Sequence, residues 1–422
     1  MKTIFATPRG TTDITDDVHL WQQLEFQARR ILHVYGFREI RTPIYEESDL
    51  FKRSLGQTSD VVNKQLLELA PQGDEQYALR PEGTAAVVRS YLQNDLDKKE
   101  SLSKLYYIGP MFRGERPQKG RLRQFHQIGV EAIGPNSASP YLDAEVLRLA
   151  MHLLKDLGVK EPRLKINSLG SKEDKEHISV WLRGEFAKHK EHLCPDCQTR
   201  FERNVFRVLD CKQESCRKLV ATVVIHLPLS QESTDYFTAV QKALTTLGVE
   251  FHIAPHLVRG LDYYTHTVFE ITASGLGSQD AIGAGGRYSG LVHELGGDEK
   301  VNFGAIGFAL GMERVLLSKG IADVQAPGID VYVIAMDTVY LPQAFALLDA
   351  LRQAGISADL SYNGGSLKSQ MNRANKANAG YALILGENEV KNNAVALKDM
   401  QLGKQEIVGL DVVVEALKKL VS

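Results

Sequence analysis

The stretch VRGLDYYTHTVFE, Val258 to Glu270, sets Arg259 beside Gly260 and follows it with Asp262 and two adjacent phenols, Tyr263 and Tyr264. A guanidinium stays ionised and offers a planar fork to carboxylate or phosphate oxygens, so this grouping could form an anion site beside a polar pocket. In isolation, an arginine partnered by Asp262 or a nearby glutamate would look the same. A second grouping lies in LYYIGPMFRGERPQKGRLRQFHQIGVEAIG, where two strand-like runs flank RPQKGRL. Read as an antiparallel hairpin, period-two counting puts Phe125, Gln127, Gly129 and Glu131 on one face and His126, Ile128, Val130 and Ala132 on the other. Arg113 and Glu115 share a face of the first strand, and Gly129 is expected to leave room for a ligand. The intervening loop carries Arg116, Lys119, Arg121 and Arg123, a basic patch that suits phosphate, although a solvated hairpin tip is also polar.

The elements that must position these residues can be read from periodicity and punctuation. Val18, Trp21, Leu24, Ala28, Ile31 and Tyr35 recur at helical spacing and stop at Gly36, which predicts an amphipathic helix with a glycine cap. Pro43 in FREIRTPIYEES lacks a ladder donor and belongs at a strand edge or bulge. QYALRPEGTAAVVRSYL reads as a short strand, a turn at Pro81 to Gly83 and a helix, and Pro140 to Gly158 reads as a second amphipathic helix. Strand signals return at YYTHTVFEITA, pass through GAGGRYSGL and end in VNFGAIGFALGMERVLL. Ala326, Pro327 and Gly328 suggest a linker, after which IDVYVIAM, ISADLSY and YALILG alternate with helical stretches, as in a compact α/β domain.

A chain of 422 residues exceeds what one hydrophobic core usually supports, so two or three domains are expected. Its 43% hydrophobic and 24% charged residues exclude disordered, collagen-like and coiled-coil classes. The start MKTIFATPRGTTDITDD is too poor in apolar residues for a signal peptide, and no segment approaches the ~20 apolar residues of a membrane span. A cytoplasmic setting is the expectation. A formal charge of −2 gives no overall basic field, so any polyanion must be held by local patches. The four cysteines, Cys194, Cys197, Cys211 and Cys216, are clustered, which suits a metal site or small buried thiols better than a disulfide scaffold. Structural zinc often uses a tight pair at each end, and the second pair here is wide, so no bound metal is expected.

These motifs, taken in order, resemble one family. FRGE followed by RQFHQIGVE resembles motif 2 of class II aminoacyl-tRNA synthetases, GFALGMERV resembles motif 3, and Pro43 in IRTPIYEE sits where motif 1 keeps its proline. LVRGLDYYT and AGGRYSGLV resemble the two signatures particular to the histidyl-tRNA synthetase family, which LRPEGTAAVVR and PRGTTD also match. The resemblance implies an α+β fold: an antiparallel catalytic sheet flanked by helices, a helical insertion and a C-terminal α/β anticodon-binding domain. It sets the expected limits at 1–165 and 256–325 for the catalytic core, 166–255 for the insertion and 328–422 for the last domain. It implies a homodimer that activates L-histidine with ATP and Mg2+ and charges the histidine tRNA, with no dedicated metal site and no membrane.

Residue by residue, the resemblance assigns Arg259 to the reacting carboxylate and α-phosphate and Arg113 to the α-phosphate. Glu115 and Arg121 fall on the nucleotide side, Phe125 stacks on the base and Arg314 holds the γ-phosphate. Glu131 and Tyr264 read the imidazole, while Glu82, Gly83, Thr84 and Gln127 surround the α-amino group and Tyr263 closes the pocket. Arg116, Gln118 and Arg123 meet the tRNA acceptor end, and Lys368, Arg373 and Lys376 suit the anticodon stem. Ser289, His266 and the run DAIGAGG depart from the family pattern along the wall that includes Arg287 and Tyr288. The regulatory subunit of ATP phosphoribosyltransferase shares the core. That relative typically has eroded arginines and lacks the anticodon-binding domain, whereas this chain keeps Arg113, Arg259 and Arg314. An RNA-binding sensor without catalysis would also require lost catalytic residues.

Overall fold

The computed structural model describes residues 5–56, 59, 61–71, 73–118, 120–274, 276, 280–319 and 328–421. Two units separate within it, Met1–Val324 and Gln325–Ser422. The expected linker residues Ala326 and Pro327 lie outside the described residues.

The first unit is organised by an eight-stranded sheet. Its strands are β1 (Arg38–Glu39), β5 (Ser103–Phe112), β6 (Gln124–Pro135), β7 (Arg163–Ser168), β8 (His252–Ile253), β9 (Thr265–Thr272), β10 (Ala281–Arg287) and β11 (Phe303–Gly311). β2 (Tyr45–Glu47), β3 (Leu67–Glu68) and β4 (Tyr77–Leu79) form a small sheet of their own. The large sheet runs β1-β5-β6-β11-β10-β9-β7-β8 and is antiparallel except at its two ends, where β1 pairs with β5 and β7 with β8 in parallel. Apolar residues on alternate positions let the sheet bury both faces. Val130, Ile128, Ile306, Phe308 and Ile271 join one core with the helix Pro140–Asp156, while Leu105, Tyr107, Ile133, Val268 and Ala305 join another with the helix Thr84–Gln93.

Local signals place the helices as their chemistry requires. The helix Val18–Val34 buries Leu24, Ala28, Ile31 and Leu32. It ends at Gly36, whose φ of +76° is the left-handed state that closes a helix without a Cβ clash. Ser139 accepts a hydrogen bond from the Tyr141 amide, and Pro140 starts the next long helix where a missing N–H costs nothing.

The segment between β7 and β8 is helix-rich, as the sequence suggested: Lys172–Ala187, Pro195–Arg203, Glu214–Val223 and Gln231–Thr246. β7 itself runs on to Ser168 within the catalytic sheet. Phe237, Val240 and Leu244 of the last of these helices share a core with Leu147 and Leu154 of the helix Pro140–Asp156. Hairpin register explains another departure. β5 ends at Phe112, so Arg113 and Glu115 lie in the loop rather than on the strand, although the Arg113 amide still donates to the Arg123 carbonyl at 2.8 Å.

The second unit has a five-stranded sheet of order β13-β12-β14-β15-β16, comprising β12 (Val331–Ala335), β13 (Ala358–Leu360), β14 (Tyr381–Leu385), β15 (Ala394–Asp399) and β16 (Gln405–Gly409). β12, β13 and β14 are parallel, and helices Leu341–Gln353 and Leu367–Lys376 provide the crossovers.

Candidate active site

Side chains need space before they can make a pocket, and three glycines of the first unit provide it. Gly307 faces Glu131 across the β6–β11 ladder, where a Cβ would stand 1.9 Å from Glu131 Oε2. Gly83 and Gly129 leave space for the ring of Tyr107, which a Cβ would approach to 2.2 and 2.1 Å. The room expected beside Gly129 is therefore filled by this chain's own phenol, because Tyr107 is its direct cross-strand partner. Beside these glycines Thr84 Oγ1 donates to Glu131 Oε1 at 2.7 Å and Tyr288 donates to Glu131 Oε2. Burial pushes the Glu131 carboxyl up to about 8, against the pull of the Tyr288 and Thr84 hydrogen bonds. Tyr264 is pushed up to about 12 by burial, opposed by the charge of Arg259. Its ring lies 4.5 Å from that of Tyr263, whose edge meets Tyr288 at 5.8 Å.

The start of the helix Thr84–Gln93 forms one side of this pocket. Both carboxylate oxygens of Glu82 accept backbone N–H bonds there, from Thr84 at 2.7 Å and Ala85 at 2.9 Å, so the acid caps the positive end of the helix. Burial nonetheless raises its pKa, more than those bonds and Arg113 lower it. Gln127, half-buried on β6, presents a buried Oε1 with no protein partner among the described residues. A buried acceptor left open in this way is a place where a ligand's donor fits.

Arginines occupy the other end. Arg113 donates from Nε to the Pro81 carbonyl at 2.9 Å and lies over the Phe125 ring at 5.2 Å. Arg314 donates from Nε to the Gly120 carbonyl at 3.1 Å and from Nη1 to Ala281. Its position is fixed by its neighbour in sequence: Glu313 accepts from the His126 amide at 2.9 and 3.1 Å, which ties the helix Met312–Lys319 to β6. Burial lowers the Arg314 pKa and Arg121 and Arg113 add to this, while Glu115 and Glu270 oppose it, so these groups feel one another. Arg121 pairs with Glu115 at 3.5 Å. Arg259 donates from Nη1 to Glu270 at 3.2 Å, and its buried Nε lacks a protein partner among the described residues. Of the two partners the sequence offered, Asp262 or a nearby glutamate, the glutamate is the one that pairs with Arg259, and Asp262 accepts instead from the Asn204 amide at 3.0 Å.

The fold thus links Glu82, Thr84, Glu131, Tyr263 and Tyr264 through hydrogen bonds and charge, sets Gln127 on the same strand as Glu131, and brings Arg113, Glu115, Arg121 and Arg314 within reach of one another's charge, with Arg113 over the Phe125 ring. Tyr263 and Tyr264 precede β9 and do not belong to the strand. Arg116 and Gln118 are exposed on the hairpin loop, and Arg123 turns inward to the Glu115 carbonyl at 3.3 Å. In the second unit Lys368, Arg373 and Lys376 are exposed on one helix, with Arg373 also donating to Ser361. Several residues escaped the sequence reading. Tyr107 was findable as the bulky partner of a glycine across the ladder, and Glu270 as the one charge in VFEIT. Arg80 spans the Pro110, Thr42 and Pro43 carbonyls at 3.0, 3.0 and 3.3 Å, fixing the proline turn. Asp143 and Arg287 form a buried ion pair behind the pocket wall, with Thr267 donating to Asp143 at 2.7 Å.

An antiparallel sheet read through a charged hairpin and a strand-to-helix turn defines a class II aminoacyl-tRNA synthetase, with the nucleotide's expected path along the arginines. Comparison with known proteins narrows the class. The family model described as Histidyl-tRNA synthetase matches residues 15–171 and 201–315, and that described as Anticodon binding domain matches residues 330–420. The histidine--tRNA ligase of Moorella thermoacetica is 46% identical over 420 residues, covering 98% of each chain. That of Syntrophotalea carbinolica is 44% identical over 412 residues, covering 97% of each. The crystal structure of apo S. aureus histidyl-tRNA synthetase superposes with a TM-score of 0.80 at 35% identity, covering 98% of this chain and 100% of that one. The chain belongs to the histidyl-tRNA synthetase family.

Proposed function

We propose that this chain activates L-histidine with ATP and transfers the histidyl group to the 3′ end of its tRNA. The amino-acid carboxylate attacks the α-phosphorus, the bond to pyrophosphate breaks, and the adenylate forms. A terminal hydroxyl of the tRNA then attacks the activated carbonyl and releases AMP. Charge builds on phosphate oxygens in the first step, so in-line positioning and fixed cations supply the catalysis. The single observation that carries this reading is that a buried acid and phenol, Glu131 and Tyr288, joined by a hydrogen bond, lie with Tyr264 within reach of the charge of Arg259, while Arg314 feels the charges of Arg113 and Arg121.

On this reading Arg259 meets the carboxylate and α-phosphate, Arg113 the α-phosphate, Arg314 the γ-phosphate, and Glu115 and Phe125 the base. Glu82, Thr84 and Gln127 receive the α-ammonium, and Glu131 and Tyr264 the imidazole. Mg2+ would accompany the phosphates. Glu115 and Glu270 beside the arginines are donors of the type this ion accepts while keeping several of its waters. Exposed Arg116 and Gln118 suit the acceptor end, and Lys368, Arg373 and Lys376 the anticodon stem. A cytoplasmic setting and a homodimer go with this reading. Ile44 and Tyr45, next to Pro43, leave apolar surface open for a second copy. No helix among the described residues is long and apolar enough to cross a membrane. The regulatory-subunit reading is not favoured, since the curated relatives are histidine--tRNA ligases over nearly the whole chain.

ATP-pyrophosphate exchange with each of the twenty amino acids tests the proposal, with signal expected from histidine alone. Arg259→Ala should lower that exchange on the order of 10² to 10³-fold, the effect of losing one preorganised donor. Exchange at the wild-type rate would remove Arg259 from the chemistry.

A further inference from the structure

We propose that Cys194, Cys197, Cys211 and Cys216 bind one zinc ion, and that this ion fixes the segment bracing the loop of Arg259. The four Sγ atoms lie within 4.8 Å of one another, and three of the four residues are buried. None is in a disulfide. Cys194 and Cys211 stand 3.8 Å apart, which is the edge of a tetrahedron whose centre is ~2.3 Å from each sulfur, the zinc–thiolate distance. The wide spacing that argued against a metal in the sequence is taken up locally. Cys194 caps the helix Pro195–Arg203 and Cys197 lies in its first turn, whereas Cys211 precedes the helix Glu214–Val223 and Cys216 lies in its first turn.

Both helix N-termini therefore face the sulfurs, and the partial positive charge there favours thiolates. Backbone amides do the same at closer range. The Cys194 N–H donates to Cys216 Sγ at 3.2 Å, and the amides of Cys197 and Gln213 hydrogen-bond to the Cys194 and Cys211 sulfurs. Leu193, Phe201, Val208 and Val220 belong to the same apolar core as Cys197, Cys211 and Cys216.

The consequence for function rests on the histidine-activating reading given above. Between the two cysteine pairs, Asn204 donates to Asp262 at 3.0 Å, and the Arg207 guanidinium lies so close to Gly260 that a Cβ there would stand 2.9 Å from Nη1. A zinc ion that pins both ends of this segment thereby sets the position of Gly260 and Asp262, the neighbours of Arg259. A small displacement of a positioned cation is costly, on the order of 10² in rate for about 1 Å.

The test is metal analysis of the full chain purified without chelators, joined to cobalt substitution. One zinc per chain is expected, together with an intense thiolate-to-cobalt charge-transfer band after exchange and loss of bound metal in Cys211→Ser. Wild-type protein that carries no zinc and takes up neither zinc nor cobalt overturns the site whether or not the variant folds, as does unchanged zinc content in Cys211→Ser. Stripping the zinc should reduce kcat for histidine-dependent exchange by about tenfold or more, with the KM for ATP little changed. An unchanged kcat in the stripped protein overturns the bracing role and leaves the metal site standing. Stoichiometric zinc in a chain that activates no histidine overturns the proposed function and the bracing role, leaving the metal site alone.

Discussion

The proton on Glu131 gives the sharpest quantitative handle on histidine recognition. Burial pushes this carboxyl up to about 8, so at pH 7 the proton stays mostly on it in the free enzyme, and on the proposed reading it faces the imidazole. Neutral imidazole carries one N–H and one bare nitrogen, with a pKa of ~6.5. A histidine seated against Glu131 then shares a single proton with it, and the count is one whichever atom carries it. Below pH ~6.5 the free partners hold two protons and one must leave; above pH ~8 they hold none and one must be taken up. Affinity should fall up to tenfold per pH step on either side. Glu131→Gln keeps the shape and an acceptor for Thr84 or Tyr288 but does not titrate. At pH 7.5 the variant should lose about 1–3 kcal/mol of histidine binding, roughly 10- to 100-fold in KM, as for one imperfectly matched buried hydrogen bond. The decisive quantity is the ratio of variant to wild-type KM for histidine at saturating ATP. In that ratio the ligand's own titrations cancel, and Tyr264 stays neutral throughout because its phenol is pushed up to about 12. The ratio should be flat from pH 6 to 7.5 and drop about tenfold by pH 9, since the wild type alone loses its proton. A ratio that stays constant to pH 9 would refute the argument that Glu131 supplies the shared proton.

Other perturbations separate positioning from packing. Arg314→Gln should raise the KM for ATP by roughly 10- to 100-fold, the worth of a charge-assisted bond to phosphate, and leave the KM for histidine within about twofold; equal effects on both substrates would argue for general disruption. Asp143→Asn leaves the fully buried Arg287 without its counter-charge and should cost about 3–5 kcal/mol in urea unfolding, with Arg287→Met restoring part of it in the double variant. A loss below about 1 kcal/mol would mean that the pair is not held dry. Gly129→Ala places a methyl 2.1 Å from a Tyr107 ring carbon, so the ring must turn out of the pocket. Its KM for histidine should rise at least tenfold with about 1–3 kcal/mol of stability lost, and an unchanged KM would show that Tyr107 does not shape the cavity.

Local chemistry made much of this fold readable. The first helix and its Gly36 cap, the helix begun at Pro140 and the hairpin of β5 and β6 follow from spacings of 3.6 and 2 and from residues with fixed φ preferences. The alternation that set Gln127 and Glu131 on one face survives in the register, where they pair with Gly109 and Leu105. What periodicity could not carry was which residue fills a gap. Gly129 was read as room for a ligand, yet whether that room is taken depends on Tyr107, on the other strand of the hairpin. Asp143 stands in the helix begun at Pro140, and nothing in that helix's spacing marks it as buried. Its burial depends on Thr267 and Arg287, 124 and 144 residues further along, and no local pattern encodes contacts at that range. The extent of β5 was overdrawn for a related reason. The loop after Phe112 keeps a strand-like hydrogen bond at Arg113, and the Gly114 amide then turns to the Gln65 carbonyl, a partner outside the hairpin.

The atoms left without protein partners among the described residues mark where a ligand would fit. Arg259 Nε and Gln127 Oε1 are buried and unmatched among the described residues, and each such group costs about 1–3 kcal/mol relative to a satisfied one. A fold selected for stability alone would close both. Arg259 instead keeps a partly buried pair with Glu270 at 3.2 Å, which uses Nη1 and leaves Nε open. On the proposed reading, a carboxylate arriving beside Arg259 and an ammonium arriving at Gln127 would recover both deficits, and an amino acid carries both groups. On the proposed reading the same molecule puts its side chain against Glu131 and Tyr264, which a ring with two nitrogens can hydrogen-bond and an apolar group cannot. Discrimination would then arise from the hydrogen bonds that each wrong amino acid fails to make, which in a site built to hydrogen-bond its substrate reaches 10⁴ to 10⁵-fold without any proofreading step.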